Sequence, residues 1–193
     1  MEVRLAKTAG FCYGVQRAVD MTAGAAEEFL AGGCGRIYTY GPIVHNETVV
    51  AELSARGVGI IEDEAMLRSM LDKRELEGCT IVIRAHGAPR EIYELIEGSD
   101  QDIRILDATC PHVKRIHDIV RERHAEGDRI AVSGDPAHPE VIGILGQIEG
   151  DGVGVHLLQV GGVLRRLLPD LRRGGLQLHV VDHIGQLVVR PLE

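Results

Sequence analysis

Short apolar stretches alternate with longer amphipathic stretches along residues 1–147. The short stretches are rich in Val, Ile and Tyr, which favours strands, and each precedes a segment whose apolar positions have helical spacing. The predicted strands are 3–7, 36–40, 57–61, 79–84, 103–106 and 129–134. The predicted helices are Val15–Leu30, Glu47–Ala55, Ala65–Leu71, Arg90–Ile96, His112–His124 and Glu140–Gln147. This alternation is typical of parallel βαβ units, so we predict an α/β fold with doubly wound parallel sheets.

The pattern restarts after the polar stretch 97–102. The segment "IRILDATCPHVKRI" repeats the opening plan of a strand, a small-residue turn, a cysteine and a helix, which is a weak internal repeat. We therefore predict two pseudo-repeated lobes, 1–102 and 103–193. Beyond Gly150 the chain becomes rich in Gly, Leu, Val and Arg, so the second lobe is expected to diverge there while keeping a strand, helix and strand order.

The charge balance argues against nucleic acid or an anionic membrane as a partner. The 193 residues include 29 acidic and 21 basic side chains, for a net charge of −8, and the basic residues cluster only at 165–173. The N-terminus has no long apolar core, and no apolar run approaches the roughly 20 residues of a membrane helix. We expect a cytoplasmic protein.

The cysteines do not form a recognisable pair motif. Cys12, Cys34, Cys79 and Cys110 lie far apart and make no CxxC, which argues against a zinc ribbon or a redox dithiol. In a reducing compartment each is a free thiol or a metal ligand. Cys34 and Cys79 fit the roles of small loop and core residues.

Five cysteine and histidine side chains follow predicted strands, namely Cys12, His45, His86, Cys110 and His138. In open parallel sheets, ligands bind at the carboxyl ends of the strands. Pro111 and Pro139 directly follow Cys110 and His138, which places both at helix N-termini, where unpaired N–H groups favour anions and thiolates. Together the five residues predict a site for a metal and an anion.

Other titratable groups have simpler interpretations. We expect ordinary structural roles for the remaining histidines, His112, His117, His124, His156, His179 and His183. Glu140 suits the first turn of its predicted helix, because an acidic side chain there complements the helix dipole.

Five motifs carry a family resemblance: "GFCYGVQRAV", "GPIVHN", "RAHG", "DATCP" and "HPEVIGILGQ". In this order they resemble the motifs of the 4-hydroxy-3-methylbut-2-enyl diphosphate reductase family, iron–sulfur enzymes that end the non-mevalonate isoprenoid route. The match covers roughly Val3 to Gln147. It implies a fold of three α/β lobes around a [4Fe-4S] cluster, to which each lobe contributes one cysteine. By motif, Cys12 and Cys110 match the first two cluster ligands.

The resemblance also implies a reaction. The fourth iron binds the substrate hydroxyl, and two electrons and protons remove it as water, which releases isopentenyl and dimethylallyl diphosphates. His45, His86 and His138 match the family's diphosphate-binding histidines, and imidazolium groups suit that anion. Glu140 matches its proton-relay carboxylate. A ferredoxin or flavodoxin would supply the electrons.

The chain departs from the family pattern in its later part. No cysteine follows Cys110, and Asp182 and His183 stand near the expected second-lobe threonines. We therefore expect two of the three lobes, with the third lobe absent, in a truncated reductase whose missing lobe a separate chain could supply. One alternative is an inactive or non-enzymatic fragment that binds a diphosphate or a metal. Zinc hydrolysis is a weaker alternative, because no HExxH motif is present.

Overall fold

The computed structural model describes residues 4, 10–32, 35–127 and 130–148, together with strands at 155–158, 178–181 and 187–190. The helices are α1 (Tyr13–Leu30), α2 (Glu47–Ala55), α3 (Glu64–Asp72), α4 (Arg90–Glu97), α5 (Pro111–Ala125) and α6 (Pro139–Leu145). The strands are β1 (Ile37–Tyr40), β2 (Val58–Ile61), β3 (Thr80–Ile83), β4 (Arg104–Asp107), β5 (Ile130–Ser133), β6 (Val155–Leu158), β7 (Leu178–Val181) and β8 (Leu187–Arg190).

The predicted elements between residues 13 and 145 are present, and their ends move by only a few residues. Helix α2 has the predicted bounds, and α1 begins at Tyr13 rather than Val15. Asn46 and Asp63 cap α2 and α3, because their side chains accept hydrogen bonds from the backbone N–H groups of Val49 and Met66 at 3.2 and 2.8 Å. The predicted strand 3–7 lies largely outside the described residues.

The first sheet has the strand order β2-β1-β3-β4, and all of its strand pairs are parallel. Its central strand β3 is apolar on both faces. Ile81 and Ile83 pack toward α3 and α4, whereas Val82 packs toward α1 on the opposite face. Helices therefore cover both faces, as a parallel sheet requires. The α/β class predicted from the sequence is confirmed.

A second sheet has the order β6-β5-β7-β8. Strand β5 pairs in parallel with β6 and β7, but β7 and β8 pair antiparallel. The antiparallel pair departs from the expected all-parallel sheet. Residues 182–186 join these two strands, and so short a connection suits an antiparallel pair, since a parallel pair needs a crossover of about a dozen residues or more.

Helix α5 joins β4 of the first sheet to β5 of the second, and the end of α6 contacts the start of α4. The backbone N–H of Arg90, at the start of α4, donates to the carbonyl of Gly146 after α6 at 2.9 Å, and the Gln147 amide donates to the carbonyl of Ala88 at 3.1 Å. Strand β4 follows the predicted lobe boundary at residue 102 and yet pairs with β3 in the first sheet. Of the helices in the described part of the chain, none is long and apolar enough to cross a membrane.

Candidate functional site

Three histidines from different parts of the chain form one cluster, which we call the histidine cluster: His45, His86 and His138. The ring centroids of His45 and His86 lie 4.6 Å apart, and His138 lies 5.9 Å from His45 and 5.8 Å from His86. The loops that carry them follow β1, β3 and β5, so the carboxyl ends of strands from both sheets contribute to one site. The sequence prediction that these three residues share a rim agrees with this placement.

Local structure fixes each of these histidines. His45 precedes the cap residue of α2 and is exposed. His86 lies in the turn between β3 and α4, where Gly87 has a φ of +76°, a backbone conformation that favours glycine. His138 is the N-terminal cap of α6, and its Nδ1 accepts a hydrogen bond from the backbone N–H of Glu140 at 3.3 Å.

The surroundings of His86 favour its neutral imidazole. Burial, followed by electrostatic interactions with His45, Arg84 and His138, lowers the pKa of His86 to about 4. The Nδ1 atom of His138 accepts a hydrogen bond from the Glu140 backbone N–H, which leaves Nε2 as the atom that can donate to a ligand. Before a ligand binds, His86 is a neutral imidazole rather than an imidazolium. Neutral N–H donors still bind a phosphate oxygen.

The two cysteines predicted as iron ligands begin two helices. Cys12 is the N-cap of α1 and is exposed, and Cys110 is the N-cap of α5 and is half-buried. The two helix starts lie close together, because a Cβ atom built on Gly14 would lie 2.4 Å from the Cys110 Sγ. A side chain at position 14 would displace the Cys110 thiol from its place beside the first turn of α1, so only glycine fits there.

Comparison with known proteins identifies the family. A family model described as LytB protein matches residues 3–180. The chain belongs to the LytB family. A relative from Caldanaerobacter subterraneus subsp. tengcongensis, named 4-hydroxy-3-methylbut-2-enyl diphosphate reductase, is 40% identical over 149 residues, which are 77% of this chain and 48% of the relative. A relative of the same name from Aquifex aeolicus is 37% identical over 169 residues, which are 86% of this chain and 53% of the relative.

Solved structures agree with this LytB assignment. A structure of (E)-4-hydroxy-3-methyl-but-2-enyl diphosphate reductase, described as the terminal enzyme of the non-mevalonate pathway, matches with a TM-score of 0.66 and 33% identity over 92% of this chain and 57% of that one. A structure of the E-1-hydroxy-2-methyl-but-2-enyl-4-diphosphate reductase from Plasmodium falciparum matches with a TM-score of 0.66 and 27% identity, over 91% of this chain and 49% of that chain. This LytB chain spans about half the length of the curated relatives it matches.

Two arginines of this LytB chain support the site, and sequence reasoning missed both. Arg17 of α1 donates from its guanidinium to the backbone carbonyls of Thr109 and Asp107, at 3.2 and 3.4 Å, and so ties α1 to the loop before Cys110. Arg84 is half-buried beside His86, with its guanidinium carbon 5.9 Å from the Tyr40 ring centroid. Burial lowers the pKa of Arg84 from its ordinary value. Its place in "RAHG", two residues before His86, was the available signal.

The remaining candidates are placed as follows. Glu140 is half-buried in the first turn of α6, two residues after His138. Cys79 is buried, and its thiol donates weakly toward the carbonyls of Glu75 and Glu77, as a core residue does. Cys34 lies outside the described residues, as do the side chains of Asp182 and His183.

Two cysteines at helix starts are the candidate iron–sulfur ligands of this LytB chain. In the described ranges, no group of three or more His, Cys, Asp or Glu side chains is arranged to hold a metal ion. Cys12 and Cys110 both lie at helix starts, and cysteine thiolates are the ligands that iron–sulfur groups take. The residues present therefore fit part of such a group's ligand shell.

Proposed function

We propose that this chain takes part in the reductive removal of the hydroxyl of 4-hydroxy-3-methylbut-2-enyl diphosphate, which yields isopentenyl and dimethylallyl diphosphates. The observation that carries the proposal is the histidine cluster at the carboxyl ends of β1, β3 and β5, in the same fold as two cysteines that cap neighbouring helices. The relatives that bear this enzyme's name support it.

In this proposal Cys12 and Cys110 hold a [4Fe-4S] cluster. When bound, such a cluster supplies electrons and a Lewis-acidic iron for an oxygen ligand. Arg17 and Gly14 position the cysteine-bearing loops, the first by its hydrogen bonds to the loop before Cys110 and the second by leaving space for the thiol. A further cysteine from another chain or lobe would complete the ligands, and a ferredoxin or flavodoxin would donate electrons in the cytoplasm.

The histidine cluster binds the diphosphate group of the substrate. The Nε2–H of His138 and the imidazoles of His45 and His86 donate hydrogen bonds to phosphate oxygens, and Arg84 adds a positive charge beneath them. Glu140 follows His138 closely in the chain and delivers a proton to the departing hydroxyl. The substrate anion favours a protonated imidazole, so its binding raises the pKa of His86 and takes up a proton.

We expect iron loading to test the cysteine assignment. The full chain is reconstituted anaerobically with iron and sulfide, and both elements are measured per chain. Cys12→Ser and Cys110→Ser should each lose most of the iron and the brown colour, because each removes a thiolate ligand. Cys79→Ser is the matched control, since that thiol is buried in the core. A colourless parent protein that still binds diphosphate would instead identify a non-enzymatic module.

We expect the histidine cluster to determine diphosphate affinity. His45→Asn, His86→Asn and His138→Asn should each weaken binding of inorganic diphosphate by about tenfold, the effect of losing one hydrogen bond to a charged group. Isothermal titration calorimetry on the full chain measures this, and His124→Asn on α5 is the control. Buffers of different ionisation enthalpy report the proton uptake. If the three cluster variants bound diphosphate as tightly as the parent and the His124→Asn control, the assignment of the histidine cluster as the diphosphate site would be contradicted.

Turnover is measured with a chemical reductant and the allylic diphosphate. The chain alone is compared with the chain fused to the remaining half of a relative. Product formation by the fusion that depends on Glu140, tested with Glu140→Gln, supports the proposed proton delivery. Iron loading and diphosphate binding without turnover in either form would contradict the proposed reaction.

A further inference from the structure

A cavity of about 190 Å³ lies between α4 and α5 at the carboxyl end of β4. Gln147, after α6, also lines it. This volume is many times the space that a single water needs. None of the three cluster histidines lines it. The cavity is therefore distinct from the proposed diphosphate site.

The lining of the cavity is cationic, although the whole chain is acidic. Arg90, Lys114 and Arg121 line it, against the single carboxylate of Asp107. Lys114 pairs with Asp107 at 2.9 Å, with Asp107 also accepting from the Thr109 backbone N–H. The remaining charge of the lining is positive, which favours an anionic occupant.

Both arginines have solvent-exposed partners on their own helices. The Nε of Arg90 pairs with Glu94 at 2.7 Å, and Arg121 pairs with Asp118 and donates to the Gln147 side chain at 3.4 Å. Exposed pairs between neighbouring turns of a helix contribute little to stability. An anion inside the cavity can therefore compete with these carboxylates for the two guanidinium groups.

His117, which also lines the cavity, contributes a buried ring nitrogen. The residue is 6% exposed, and its Nε2 has no hydrogen-bond partner among the residues that the structure describes. Glycines flank its ring: a Cβ atom on Gly87 would lie 2.6 Å from Cε1, and one on Gly143 would lie 3.4 Å from Nε2. Neither neighbour has a side chain that could satisfy this nitrogen. A buried polar atom without a partner is costly, and a bound ligand would remove that cost.

We propose that this cavity is a second anion site, which binds a small oxyanion such as inorganic phosphate through Arg90, Arg121 and the Nε2–H of His117. The site belongs to the loop and helix that present Cys110. Thr109 directly precedes that cysteine and lines the cavity, and Lys114 and His117 lie one and two turns after it on α5. An oxyanion in this cavity therefore lies against residues that precede and follow Cys110 in the chain, while the Cys110 thiol remains available to iron.

The test uses the full chain with His45→Asn and His138→Asn, so that the histidine cluster does not contribute phosphate binding. Inorganic phosphate is titrated and followed by ³¹P NMR and by amide chemical shifts of residues 107–121. We expect binding in the micromolar to millimolar range, weakened at least about fivefold by Arg90→Gln and by Arg121→Gln. Arg123→Gln is the control, because Arg123 pairs with Glu126 and does not line the cavity.

Variants at His117 separate the anion site from a structural role. His117→Gln keeps an N–H donor and should retain phosphate binding, whereas His117→Leu should lose it. Absence of phosphate binding in the millimolar range, or binding that Arg90→Gln and Arg121→Gln leave unchanged, would overturn the proposal. Iron loading and diphosphate affinity of the parent chain are measured separately, so failure here does not bear on the proposed reductase function.

Discussion

Acidification from about pH 6.5 to about pH 4 is expected to lower the free energy of unfolding by about 5 kcal/mol, because two histidines are neutral in the folded chain. Burial, with a smaller effect of Arg121, lowers the pKa of His117 to about 4. Burial and neighbouring positive charges lower the pKa of His86 to about 4 as well. In the unfolded chain both return to an ordinary value of about 6.5.

The direction follows from proton counts. Between these two pKa values the unfolded chain binds more protons than the folded chain, so stability falls as the pH falls. The contribution of the two neutral histidines to the free energy of unfolding is complete above about pH 6.5 and is lost by about pH 4. The buried His117 accounts for about 3 kcal/mol, and the half-buried His86 for less, because solvent screens it. Asp107 titrates below this window: burial raises its pKa, but hydrogen bonds from Thr109 and Lys114 outweigh that effect and lower it.

Urea denaturation at a series of pH values across the window measures this slope. His117→Asn and His86→Asn should each flatten it, whatever their effect on stability at neutral pH. His112→Asn is the control, since His112 is exposed on the same helix as His117. A slope that both buried-histidine variants leave intact would show that other groups carry the acid sensitivity.

Gly14→Ala is expected to abolish iron loading while the fold survives. The new Cβ atom would lie 2.4 Å from the Cys110 Sγ and 3.0 Å from its Cβ, so the thiol must leave its position. The fold tolerates the change because alanine is favoured over glycine inside a helix by about 1 kcal/mol. Iron and sulfide content after anaerobic reconstitution should fall to the level of Cys110→Ser.

The same helix offers a matched control. Gly24 also lies within α1, and a Cβ atom built on it would meet nothing within 4 Å. Gly24→Ala should keep the iron content of the parent and raise stability by up to about 1 kcal/mol. Normal iron content in Gly14→Ala would show that the position of the Cys110 thiol does not matter for loading. That result would remove the structural argument for pairing Cys12 with Cys110.

The order of helices and strands up to α6 could be predicted from the sequence because the spacing of apolar residues is a local signal. Helix α2, for example, has the predicted bounds Glu47–Ala55. The convergence of His45 and His86 could be predicted because β1 and β3 are parallel neighbours, which direct their carboxyl ends to the same edge. His138 follows β5 of the second sheet, and its approach to the other two histidines depends on how the two sheets pack.

Contacts between distant elements could not be predicted in this way. His117 has the sequence context of an ordinary helical residue, yet the packing of α5 against the loop at Gly87 buries it. Arg17 lies on a helix with no motif to mark it, and its acceptors are backbone carbonyls, which every residue carries. The neutral state of His86 depends on burial and on Arg84 and the other histidines, which only the assembled fold brings near it.

The hydrogen bond from Arg17 to the Thr109 carbonyl joins positions 92 residues apart and has a consequence for the order in which the site forms. During synthesis α1 emerges early, but its partner loop appears only after β1, β2, β3 and β4 have been made. Such long-range contacts close late in folding, because the entropy of the intervening chain must be lost first. In the proposed iron site, both cysteine ligands are therefore present only after the chain has been made as far as Cys110, beyond all four strands of the first sheet.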